Sequence, residues 1–126
     1  LHLQHNMKFM FELYSDGIIE NIVGDLQKGK VAYGFGGVAR LDSNLKPHPR
    51  LVLAEHKRLG SSLIILSRSF LRVSDYDDVN ILASDFKIRL QSIKNYYESL
   101  SRSDENKLLI DKRQLDLEIQ SVVRSI

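Results

Sequence analysis

The sequence predicts a mixed α/β fold: an N-terminal helix, one strand–helix–strand unit with parallel strands, and a C-terminal helical hairpin. Three observations carry this. Two short apolar runs, Lys30–Gly37 and Leu63–Leu66, flank a segment with helical spacing. Beyond Ser74 the apolar residues recur at steps of three and four. A chain of 126 residues, 43% hydrophobic and 27% charged, has the size and composition of one globular domain. That length suffices to bury roughly two-thirds of the unfolded surface.

Met7, Phe11, Tyr14, Ile18, Ile22 and Leu26 form one helical stripe, so the first element is a helix from about His5 to Lys28, stopped by Gly29. Gly17 and Gly24 weaken it. A break near Ser15-Asp16-Gly17, or a strand over Lys8–Leu13 ahead of a shorter helix, is the alternative. The glycine-punctuated run Lys30–Gly37 follows as a buried strand, and Ala39–Lys46 as a loop ending at Pro47-His48-Pro49. Pro49 opens a helix through Leu51, Val52, Glu55, Arg58 and Leu59, with Gly60 as its stop. Leu63–Leu66 is the second strand, laid parallel to the first by the crossover.

Ser74 is the expected cap of the next helix, with Asp75, Asp77 and Asp78 complementing its dipole. Val79, Leu82, Phe86, Leu90, Ile93, Tyr97 and Leu100 form its stripe, which includes one of the Tyr96-Tyr97 pair. Ser101–Glu105 breaks the pattern, and Leu108, Leu115, Ile119, Val122 and Ile126 resume it on a second, antiparallel helix. The organisation is thus residues 1–73 as a helix plus the strand–helix–strand unit, and 74–126 as a hairpin packed on it. Two strands this apolar need cover on both faces and do not make a stable sheet alone. An identical subunit, another chain or the remainder of a longer polypeptide is expected to complete the sheet. A start at Leu1 with the first Met at position 7 points to a processed or partial product.

The absence of Cys excludes disulfides, thiolate nucleophiles and Cys-based metal centres, and makes a cytoplasmic setting the default. No apolar run approaches the ~20 residues of a membrane span, and no signal-peptide pattern opens the chain. A net charge of +2 is too small to imply nucleic-acid binding. Its distribution is informative, because Arg40, Lys46, Arg50, Lys57, Arg58, Arg68 and Arg72 face only Asp42 and Glu55 within their segment. A small anion is the partner such a region attracts.

Parallel strands present their carboxyl ends at one edge, where ligands of such sheets bind. That edge should gather Gly34, Gly36 and Gly37, whose backbone N–H groups could approach an anion, with Arg40, Ser67, Arg68 and Ser69. The glycines match neither the dinucleotide fingerprint nor a Walker loop. His48, between two prolines at the helix entrance, is a further candidate at that edge. His56 reads as a surface or packing residue, and neither serine has an identifiable base and orienter, so catalytic residues stay unassigned.

The segments Gly34-Phe35-Gly36-Gly37-Val38-Ala39-Arg40-Leu41, Leu53–Ser62 and Ile65-Leu66-Ser67-Arg68-Ser69-Phe70 resemble the C-terminal part of aldolase/citrate-lyase-like proteins of the phosphoenolpyruvate/pyruvate (β/α)8-barrel class. The resemblance covers about 40 residues. It implies that the two strands are the last two of a barrel and that the hairpin is its closing helix plus an extension. It also implies carbon–carbon bond cleavage or formation through a metal-stabilised enolate of a pyruvate-, oxaloacetate- or acyl-CoA-like substrate. The family's Mg²⁺ ligands lie on earlier strands, which have no match in this chain. A non-catalytic anion- or phosphate-binding module and an oligomerising protein that uses the hairpin are the readings from other classes.

Overall fold

A computed structural model describes residues 7–126, so the expected helix start at His5 lies outside the described residues. The first stripe is divided between two helices, α1 (Glu12–Ser15) and α2 (Ile18–Lys28). Gly17 separates them at φ 79°, a left-handed conformation that interrupts helical geometry. A continuous helix is therefore corrected to a broken one, at the glycine where the stripe and the backbone preference compete.

β1 (Gly34–Val38) begins four residues later than the apolar run suggests. The end of α2 is closed by Val31 N–H donating to the Leu26 carbonyl at 3.0 Å, with Lys30 at φ 56°. This cap uses up Gly29–Val31 before a strand can start. α3 (Pro49–Arg58) and β2 (Leu63–Leu66) occupy the expected positions. The strands pair in parallel, Gly34 opposite Leu63 and Val38 opposite Leu66, with an irregularity between Phe35 and Val38.

Two short 3₁₀ turns, Arg68–Phe70 and Val73–Asp75, lead into α4 (Val79–Leu100), which a four-residue connection joins to α5 (Glu105–Ser125). Asp78 caps α4 in place of Ser74, accepting the Asn80 N–H at 2.8 Å. Ser74 is held in the preceding 3₁₀ turn. Asp104 caps α5 in the same way through the Lys107 N–H, at 2.8 Å.

α3 is the centre of the molecule. Every residue from Leu51 to His56 is buried, including Glu55 and His56. β1 covers part of it, while α4 and α5 each pack on α3 rather than chiefly on one another. One core joins Val38, Leu51 to Ala54 and Phe70 to Ile93, Leu100, Leu115 and Ile119, so α4 and α5 share their interior with the strand–helix–strand unit. The α4 stripe is buried only toward its C-terminal end. Val79 is 74% exposed, whereas Ile93 and Leu100 are buried.

Glu55 is held inside by ion pairs. Its carboxylate accepts Arg58 Nε at 2.5 Å and lies 3.5 Å from Lys112 Nζ. Arg58 reaches on to Glu20, and Lys112 bonds Asp116 and the Tyr14 carbonyl. The network ties α1, α2, α3 and α5 together. Burial, then the charge of Glu55, raises the Tyr14 phenol above its ordinary pKa, and its hydroxyl donates to the Gly36 carbonyl at 3.1 Å.

The sheet is covered on one face only. Phe35 stacks on His56 with ring centroids 3.9 Å apart, whereas Leu63 and Ile65 on the other face are 61% and 56% exposed. The expectation of cover on both faces is thus met on one side, and no further strand pairs with either edge among the described residues. The fold shown is mixed α/β with a two-stranded parallel sheet. No helix of the described residues is long and apolar enough to cross a membrane.

Candidate anion site

The carboxyl ends of β1 and β2 meet as the sequence predicts. Ser67 N–H donates to the Val38 carbonyl at 2.8 Å, so the two strand exits are tied side by side. Val38 and Ala39 are buried, which anchors Arg40 at the rim. Ser67 Oγ and Ser69 Oγ are 2.8 Å apart, and Phe70 anchors their turn in the core. Beside them a cleft of about 290 Å³ is lined by Arg40, Ser43, Ser69, Arg72, Asp75 and Arg89, among others. Arg40 Nε lies 3.2 Å from Asp42 in an exposed pair.

Arg89 enters from α4. Its Nη1 donates to the Phe70 carbonyl at 2.7 Å, which fixes the guanidinium against the β2 exit and leaves its remaining donors for other partners. Phe70 and Phe86 meet edge to face at 5.9 Å, so the turn of α4 that carries Phe86 and Arg89 is held to Phe70 by two contacts. Arg40 and Arg89 also border a second depression of about 380 Å³ with Leu41 and Ile88. A third, of about 220 Å³, lies between Phe9, Phe11, Gly37, Ala39 and Ser69.

Several expected site residues serve the fold instead. Gly34 sits where a Cβ would overlap the Leu63 carbonyl, so its lack of a side chain permits strand pairing. Gly36 lends its carbonyl to Tyr14. Gly37 has φ 90°, and a Cβ there would lie 2.9 Å from the Phe11 ring, so both backbone and packing demand glycine. Of the three, Gly37 borders the depression beside Phe9 and Phe11, and Gly34 and Gly36 line none of the depressions described.

His48 is the α3 cap. Its Nδ1 accepts the Arg50 N–H at 3.2 Å, and its own N–H donates to Glu118 at 2.9 Å. It borders a separate depression with Arg50 and Glu118 rather than the cleft of Arg40. Burial, the Arg50 charge and the opposing Glu118 charge leave its pKa below the ordinary value. Arg68 is exposed in its 3₁₀ turn and lines none of these depressions. Arg72 and Arg89 are the arginines that border the cleft beside Arg40. Arg72 belongs to the basic run read from sequence, but Arg89 lies 23 residues past β2 and no local pattern marks it.

Mg²⁺ does not fit these residues. Among the described residues no group of three or more His, Asp or Glu is arranged to hold a metal ion. Three guanidiniums border the cleft against Asp75, an environment that repels a cation seeking oxygen ligands. What the arrangement offers is charge-assisted hydrogen bonding to an anion. No protein-family model, curated protein or solved structure matches the chain.

Proposed function

We propose that this chain is the closing segment of a carbon–carbon bond lyase of the phosphoenolpyruvate/pyruvate barrel class, and that Arg40 with Ser67 and Ser69 grips the carboxylate of a pyruvate-, oxaloacetate- or acyl-CoA-like substrate. The observation that supports it best is the convergence of both strand exits on one rim, tied by the Ser67–Val38 hydrogen bond. The bare sheet face at Leu63 and Ile65 fits a sheet whose remaining strands come from elsewhere. In a retro-aldol cleavage the electron pair of the broken bond passes to the substrate carbonyl oxygen as an enolate. A guanidinium close to that oxygen stabilises the charge as it develops. Metal ligands and the proton-transfer groups belong to the rest of the assembly in this reading.

A second reading, a binding or oligomerising module without chemistry, is favoured by the exposed apolar residues Val79, Ile81 and Ile88 on α4. Turnover separates the two. The full assembly containing this chain, given a 4-hydroxy-2-oxo acid and Mg²⁺, is expected to release pyruvate, measured by coupled NADH oxidation. Arg40→Ala should cut that rate by about tenfold or more, as expected for loss of a charged hydrogen bond, while Lys57→Ala leaves it unchanged. No pyruvate from any such substrate by the folded assembly contradicts the lyase reading.

A further inference from the structure

We infer that the cleft of Arg40, Arg72 and Arg89 is a site for a phosphate monoester, built jointly by the strand exits and the C-terminal helix α4. The three guanidiniums come from three separate segments, the loop after β1, the chain leaving β2, and α4, and they border one space of about 290 Å³. Ser69 adds a hydroxyl from the second side. Ser43, also on the cleft wall, has a buried Oγ with no hydrogen-bond partner among the described residues.

Charge and shape select the ligand. Asp75 is the acid lining the cleft, so three positive groups face one negative group, a surplus suited to a dianion. Asp42 engages Arg40 only in an exposed pair, which an arriving anion displaces at little cost. A carboxylate presents two oxygens in one plane and is satisfied by a single arginine fork. A phosphate monoester presents three terminal oxygens in three directions, which matches donors arriving from three segments. The pinning of Arg89 by the Phe70 carbonyl means that one of these donors is already positioned before binding. The neighbouring depression that Arg40 and Arg89 share, bordered by Leu41 and Ile88, has room for the esterified part of the ligand.

This inference rests on the cleft being the ligand rim proposed above, but not on the reaction. Calorimetry at about pH 8 with glycerol phosphate, malonate, acetate and pyruvate tests it on the full protein. Glycerol phosphate should bind at least about tenfold more tightly than acetate and more tightly than malonate. Arg72→Ala and Arg89→Ala should each weaken glycerol phosphate by roughly 10- to 100-fold while leaving pyruvate nearly unchanged. Arg40→Ala should weaken both. Arg72 is exposed, so its replacement tests the site without disturbing the core, and Arg89→Lys, which keeps the charge, should recover part of the loss. Equal binding of acetate and glycerol phosphate, tighter binding of malonate, or unchanged phosphate affinity in Arg72→Ala overturns the inference. Phosphate binding without pyruvate binding would retain it and sink the pyruvate-site reading, and the reverse result would do the opposite.

Discussion

Replacing Glu55 by alanine is expected to lower the unfolding free energy by about 3–5 kcal/mol, the usual cost of breaking a buried ion pair from one side. The side chain of Glu55 is 2% exposed and its two cationic partners, Arg58 and Lys112, are 17% and 16% exposed. Without the carboxylate those charges stay largely desolvated, with only the more exposed Glu20 and Asp116 left to compensate them. Because the same network links α1, α2, α3 and α5, the loss is felt by the whole core rather than by one helix. Hydrogen bonds from Arg58 to both Glu55 oxygens, with Glu20 beyond, hold the guanidinium firmly in its charged form. Urea unfolding of wild type and Glu55→Ala measures the difference. A loss below about 1 kcal/mol would show that the pair is solvated.

Acid should destabilise the protein through His56. Its ring is fully buried, stacked on Phe35, with Nδ1 3.1 Å from Ser61 Oγ and, among the described residues, no hydrogen-bond partner for Nε2. Burial lowers its pKa from 6.5 to about 4, with the nearby Gly36 backbone opposing part of the shift. Between those values the unfolded chain binds a proton that the folded chain refuses. Stability is therefore full above about pH 6.5 and falls as pH drops toward 4, by about 1.4 kcal/mol per pH unit and roughly 3 kcal/mol in all. Thermal or urea melts across that window should show the slope in wild type and lose most of it in His56→Gln. An equal slope in both proteins would place the acid sensitivity elsewhere.

The parts of this fold that local signals decide were legible in the residues. Pro49 and Gly60 bracket α3 because one presets the first turn and the other permits the left-handed exit, and Leu63–Leu66 is a strand where it was expected. The pairing of the strand ends follows from the crossover, which sets Arg40, Ser67 and Ser69 near one sheet edge. Where two local preferences compete, periodicity misled. The stripe through Gly17 is helical on both sides of a residue that takes φ 79°, and Asp78 wins the α4 cap over Ser74 because Ser74 is committed to a 3₁₀ turn.

Tertiary placement set the remaining limits. Glu55 and Lys112 are 57 residues apart and look like solvated charges until α5 packs on α3. Arg89 reaches the rim only because α4 lies across the β2 exit, which no spacing within α4 encodes. By position after its strand, Arg68 is equivalent to Arg40. The 3₁₀ turn at Arg68–Phe70 instead buries Phe70 and leaves Arg68 in solvent.

That the functional rim lies at the joined exits of β1 and β2 is tested most directly by nuclear magnetic resonance of the ¹⁵N-labelled protein during titration with pyruvate. Backbone signals of residues 38–43 and 67–72, and the Nε–H signal of Arg40, are expected to shift together and to saturate with one affinity. Shifts confined instead to the cleft between Glu12, Asp16, Gln120 and Arg124, or to the depression beside His48 and Glu118, would contradict the placement of the site.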